Sequence, residues 1–306
     1  MLILRSEITE PVLLYFMVTL IFFSSIEVVS KDLMNYVGPF EMTFLRFFIG
    51  TAGLLIFAFF NGAYREFSKL KKEDYLLMAL LGFINIFFSM SMLQYAIKFG
   101  SPQVVALIIS SNPIFVYLIS VALKNDRFTL RRVAGFVLGI SGLFFVIFEE
   151  IGNIELEKGS LYALAGAVSF AFFTILNKKA VTAHRPLVVN IVSFSFGISF
   201  ILIYLVLRGR VELAPDTFGT VSRTVSFLYL GIFVTAVSYI TFLSAIKQMG
   251  PVASSLVFLF KPAVATVLAL IFLSADLTYG FFAGLLLTAA GSRMIMKKRG
   301  AGGADA

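Results

Sequence analysis

The sequence predicts an all-α membrane protein of ten transmembrane helices, arranged as two inverted-topology repeats of five, with both termini cytoplasmic. Three observations predict it. Hydrophobic residues make up 59% of the 306 positions and charged ones only 14%, against roughly 45–50% and ~25% in a soluble domain. The excess apolar surface is more than one core can bury, so much of it must face lipid. Ten apolar runs reach spanning length, and the second half of the chain repeats the first.

A helix crosses the hydrocarbon with about 20 mainly apolar residues at ~1.5 Å each. Such runs lie at 11–30, 38–60, 75–97, 102–123 and 130–148, then at 159–180, 187–207, 224–246, 252–273 and 277–296. Pro39, Pro102, Pro186 and Pro251 each stand at a predicted helix start, where the missing N–H costs little. The first repeat is placed at 11–148, the second at 158–297, and 300–306 reads as a flexible tail. Arg5 is followed by Glu7 and Glu10 with no small-residue cleavage site after the apolar run, so the first span is expected to be retained, not removed as a signal peptide.

Orientation follows from the basic residues. Loops and tails on the side of the N-terminus hold seventeen Lys and Arg, the other side six, and Arg46 and Lys261 lie within spans. Cytoplasmic segments carry that excess. The basic clusters at 65–72, 124–132 and 297–299 therefore read as topology signals, and no nucleic-acid partner is expected from the net charge of +8.

Residues 96–142 align without a gap to 245–291 at a constant offset of 149, with eleven identities. These include Ala96/Ala245, Ile97/Ile246, Lys98/Lys247, Pro102/Pro251, Pro113/Pro262, Gly135/Gly284 and Gly142/Gly291. Gly82/Gly231 and Ser89/Ser238 keep that offset, while Pro39/Pro186, Phe47/Phe194 and Gly50/Gly197 match at 147. An odd number of spans per repeat forces the second half to insert upside down. Halves related in this way can rock between two near-equivalent states, with a site near the midplane between them.

Charged side chains inside a span are costly and default to functional candidates. Glu27, Glu41, Arg46 and Lys261 are the four. Counted at ~1.5 Å per residue, Arg46, Lys261 and the repeat mate of Lys261, Asn112, fall near the middle of a core ~30 Å thick. Asn112-Pro113 and Lys261-Pro262 each place a polar residue beside a helix-kinking proline, whose freed carbonyl must face protein or a wet cavity. The predicted substrate-binding residues are Lys261, Asn112, Asn85, Ser89, Ser238 and Tyr239. Two roles are open for the midplane cations: attraction of an anionic substrate group, or an ion pair with Glu27 that breaks and reforms during transport. The second is the expected role of Arg46, the first that of Lys261. A Glu27 that titrates and couples transport to protons is a further alternative.

The stretch Leu93 to Phe115 (LQYAIKFGSPQVVALIISSNPIF) resembles the third-to-fourth helix signature of the drug/metabolite transporter superfamily, EamA type. Ala245 to Ala265 resembles its eighth-to-ninth counterpart, and Pro39 followed by Arg46 is also similar to that family. Phe22, Phe23 and Ser24 stand in the first helix, where members often carry Trp. The resemblance covers essentially 11–297 and implies a multi-pass transporter in the inner (cytoplasmic) membrane. By that resemblance it exports or exchanges metabolites, amino acids and drug-like compounds among them. The function expected is secondary transport of a small amphipathic metabolite, amino acids or related carboxylates first, by alternating access and in the direction of export. Exchange of anionic or phosphorylated solutes is the alternative, and a lipid scramblase or structural membrane protein is the rival from another class. Expected partners are the small-molecule substrate and membrane lipids, in a monomer or weak dimer.

Enzyme signals are poor. The chain has no Cys and one His, which leaves no thiolate nucleophile or Cys-ligated metal. Walker A, H-E-x-x-H and G-x-S-x-G motifs are missing from the sequence, so no metal, cofactor or catalytic residue is expected, and transport must draw on gradients.

Overall fold

The computed structural model describes residues 10–100, 102–151, 158–209, 215–261, 264 and 279–296. Among these residues the chain forms ten helical segments and no strand. In order they are α1 (Glu10–Leu33), α2 (Pro39–Phe60), α3 (Lys72–Phe99), α4 (Pro102–Ser110 and Asn112–Ala122) and α5 (Leu130–Ile151). The second half gives α6 (Lys158–Ala183), α7 (Pro186–Leu207), α8 (Val221–Met249), α9 (Pro251–Lys261) and α10 (Tyr279–Met296). Seven of them are long and apolar enough to cross a membrane. Pro262 and most of the remaining run expected for the ninth span lie outside the described residues, as does the tail at 300–306.

Outward-facing side chains are large and apolar, including Phe60, Leu76, Leu161, Leu207 and Leu286, each more than 70% exposed. A soluble helix would carry charge there; these match a lipid solvent. Inward, one apolar core draws on α1, α2, α3, α4, α6, α7, α8 and α9.

The repeat is visible in contacts that map onto themselves. Phe47 on α2 meets its own repeat mate Phe194 on α7 edge to face, ring centroids 4.9 Å apart. Across the other helix pair, Thr288 Oγ1 on α10 donates to the carbonyl of Gly139 on α5 at 3.4 Å, and these two are separated by the 149-residue offset. Self-mating contacts of this kind lie on a two-fold axis. The glycines agree. A Cβ on Gly135 would sit 2.8 Å from the Gly291 carbonyl, and one on Gly142 would sit 2.5 Å from the Gly284 carbonyl. The pair 135/291 thus becomes 284/142 when the repeats are exchanged, and the order of contacts makes α5 and α10 antiparallel.

Beyond the breaks in α4 at Ser111 and in α9 at Leu256, three helices depart from regular α geometry. α1 breaks at Ser24-Ser25, whose hydroxyls donate back to the carbonyls of Leu20 (2.6 Å) and Phe22 (2.8 Å). Such back-bonding competes with the helix ladder. α3 runs as a π-helix over Phe83–Met90 and α8 over Leu230–Val237. Wide turns of this kind cluster at functional sites. Thr235 and Ser238 close the wider turn of α8 by donating to carbonyls five residues back, Leu230 and Phe233.

Candidate functional site

The broken and widened helices surround a small central cavity of about 30 Å³. Aromatic rings supply much of its wall. Phe23 of α1 and Phe170 of α6 are repeat mates at offset 147, and both line it together with Tyr239 and Phe258. Phe23 packs on Tyr239 at 5.4 Å and Phe170 on Phe258 at 5.5 Å between centroids. Every residue lining the cavity is buried. Its polar members are Arg46, Ser89, Asn112, Tyr239 and Lys261.

The ion pair forms with a different cation from the one expected. Glu27 Oε1 accepts from Lys261 Nζ at 2.5 Å, with both side chains 3% exposed. The bond joins α1 to α9 across the two repeats. Arg46 was the expected partner of Glu27, and instead its Nε, Nη1 and Nη2 are all buried with no hydrogen-bond partner among the described residues. Its guanidinium lies 4.9 Å from the Phe47 ring centroid. Glu27 stands in the first turn after the break at Ser24-Ser25, where its carboxylate reaches Lys261 on α9.

Asn112 and Ser89 face the cavity while anchored to α6, donating to the carbonyls of Ala167 (2.7 Å) and Gly166 (2.9 Å). Asn85 accepts from the Tyr239 hydroxyl at 3.2 Å, and its Nδ2 has no partner among the described residues. Asn85 and Ser238 do not line the cavity; Ser238 spends its hydroxyl on the π-turn carbonyl of Phe233. Pro113 is buried in the first turn of the second half of α4, directly after the break at Ser111. Pro262 lies outside the described residues.

Sequence reasoning expects phenylalanine walls but does not single out Phe23, Phe170 and Phe258 as the ones that supply them. It also missed two lysines, Lys31 and Lys178, again at offset 147. Lys31 Nζ donates to the carbonyls of Ile97 and Gly100 at the end of α3, at 2.8 and 2.9 Å. Lys178 Nζ donates to those of Ile246 and Lys247 at the end of α8, at 3.3 and 2.9 Å. Extending the 147-residue register back into the first helix reveals all four residues. The registers also show an asymmetry: the mates of Glu27 and Arg46 at offset 147 are Thr174 and Ser193, and that of Lys261 at offset 149 is Asn112. The scaffold is two-fold, and its charge is not.

The EamA-like transporter family model matches residues 11–148 and again 157–297. The chain belongs to the EamA-like transporter family. An uncharacterized transporter of Clostridium kluyveri is 31% identical over 287 residues, covering 91% of both chains. A protein of Rickettsia felis named as an S-adenosylmethionine uptake transporter is 29% identical over 167 residues, 55% of this chain and 54% of that one. A solved crystal structure shares the fold, with a TM-score of 0.72 at 18% identity, over 92% of this chain and 95% of the other. This EamA-family protein is a multi-pass membrane transporter, and its bacterial relatives point to the cell membrane.

Proposed function

We propose that this EamA-family protein is a secondary transporter of small organic carboxylates, which it moves outward by alternating access through the central cavity. The observation that carries the reading is Arg46. A guanidinium buried without a partner costs several kcal/mol even after relaxation. A transported carboxylate would offset that cost with paired, charge-assisted hydrogen bonds. The aromatic walls suit an apolar body on the same solute, as small-molecule pockets combine apolar lining with few polar anchors. Broken and π-widened helices around the cavity give the backbone freedom that rocking between two states requires. In this reading Ser89, Asn112 and Tyr239 complete the substrate site, while Asn85 positions Tyr239. S-adenosylmethionine carries more positive than negative charge, so a cavity with a surplus cation matches it poorly.

The test is counterflow of labelled carboxylates in proteoliposomes, wild type against Arg46→Gln. Saturable flux should weaken by roughly thirtyfold or more in the variant, the usual effect of removing one partner of a buried charge pair. Saturable carboxylate flux that is unchanged in Arg46→Gln would remove the guanidinium from the site. Lipid redistribution without any saturable solute flux would favour a scramblase.

A further inference from the structure

The ammonium group of Lys261 occupies the one place, among the described residues, where a substrate ammonium in the cavity could find a buried carboxylate. Glu27 is the only acidic residue among the buried ones described. Its carboxylate does not line the cavity, whereas Lys261 does. Lys261 therefore stands between Glu27 and the cavity, with Nζ 2.5 Å from Oε1. The pair neutralises itself. What remains is the single positive charge of Arg46.

We propose that Lys261 is the specificity-determining residue of this site: it holds the amine seat with its own ammonium, so that the cavity takes monoanionic carboxylates lacking an α-ammonium and excludes zwitterionic amino acids. The inference rests on the reading of the cavity as the carboxylate site. Charge balance in a dry, low-dielectric space supplies the argument, since an unpaired buried charge is strongly disfavoured. Arg46, Lys261 and Glu27 sum to one positive charge, and a monoanion brings that to zero. A zwitterion adds nothing to the sum, and its ammonium can reach Glu27 only by expelling Lys261 without a partner. Rejection by an occupied polar seat is specificity through an unfavourable alternative, not through a better contact.

The repeat mates of the two residues argue that the pair is not needed to hold the helices. At the position equivalent to Lys261, Asn112 performs the bridging with a neutral amide, donating to the Ala167 carbonyl of α6 at 2.7 Å. At the position equivalent to Glu27 stands Thr174, fully buried, its hydroxyl donating to Phe170 of its own helix at 2.8 Å. Buried ion pairs are in general weak contributors to stability relative to well-packed neutral groups. The fold thus provides its own neutral replacements.

Those replacements define the experiment. Full-length wild type, Lys261→Asn and the double variant Glu27→Thr/Lys261→Asn are compared by ligand-induced thermal stabilisation and by counterflow. The probes are matched pairs of an α-amino acid and the same acid without its amino group, on aliphatic and aromatic skeletons. Wild type should prefer the deaminated member of the pair. Lys261→Asn leaves Arg46 and Glu27 as opposite charges, and preference should swing toward the amino acid by roughly tenfold or more. The double variant removes the seat along with its occupant and should return to the deaminated acid. Wild type that favours the amino acid, or a Lys261→Asn preference equal to that of wild type, overturns the proposal while leaving the carboxylate reading intact. A wild type that answers neither member of any pair overturns both. Loss of response in Lys261→Asn together with preserved response in the double variant identifies an unpaired Glu27 as the lesion and supports the assignment. Loss in both variants, with Lys261→Arg active, makes the pair structural and overturns it.

Discussion

Arg46 sits where function and stability pull in opposite directions. Its three guanidinium nitrogens are buried without hydrogen-bond partners among the described residues, so substituting Arg46→Met should raise the thermal stability of the detergent-purified protein measured without added solute. The expected gain is at least about 1 kcal/mol, since replacing buried charge by apolar side chains of similar volume is often stabilising. The same variant should lose carboxylate-induced stabilisation. A lower melting temperature would mean that the guanidinium has partners that hold it in place. The helix-capping lysines behave oppositely. Lys31→Met and Lys178→Met each remove a cation from the carbonyls ending a helix and should each destabilise by ~1–2 kcal/mol. Because the two lysines are repeat mates, the two losses should be similar, and a scan of melting temperatures for both variants checks this. Arg46, Lys261 and Asn112 were legible in the sequence because charge or amide at mid-span depth is rare. Which cation Glu27 would choose was not, because it depends on the direction in which α1 leaves the Ser24-Ser25 break, and depth alone does not encode direction.

At the scale of elements, the sequence showed the helices and hid their irregularities. Prolines at helix starts and charge clusters between apolar runs marked the ends of α2, α4, α7 and α9 within a few residues. The π segments left no such mark, since a wide turn adds no special residue and arises from how α3 and α8 pack against α7 and α2. Close helix approach was legible in part, through glycines that kept the repeat register. A Cβ on Gly82 of α3 would fall 2.1 Å from the Ser193 carbonyl of α7, whereas one on Gly53 of α2 would meet nothing within 4 Å. Gly82→Val should therefore force the helices apart and destabilise by at least ~1–3 kcal/mol, as overpacking does. Gly53→Val should change stability much less. Fluorescence-detected size-exclusion after a heating series separates the two, and equal melting points would contradict the close α3–α7 approach.

At the scale of the whole molecule, the two ends of the bundle differ although the repeats that build them are alike. Near the 61–71 loop, Asp74 faces His184 at 2.9 Å, Arg185 meets Glu66 at 3.0 Å, and Lys247 Nζ donates to the His184 carbonyl at 3.3 Å. At the opposite end the repeat mate Lys98 lines a crevice with Glu41, Tyr95 and Tyr204 instead. If the repeats exchange roles during transport, the ionic cluster parts as the crevice at the opposite end closes, so the identity of each side decides what the cluster does. The positive-inside asymmetry assigns the ionic cluster to the cytoplasm. The chain has no Cys, so each of Ser68→Cys, Asn125→Cys, Asn35→Cys and Thr220→Cys carries a single thiol at an exposed position. In intact cells a membrane-impermeant maleimide should label Asn35→Cys and Thr220→Cys, and should label Ser68→Cys and Asn125→Cys only after permeabilisation. The reverse pattern would place the ionic cluster outside, and make it the gate that faces the medium. Labelling of all four in intact cells would show insertion in both directions, which two repeats of opposite orientation with a weak charge bias would permit. The bias here is seventeen basic residues against six, large enough that a single orientation is the expected outcome.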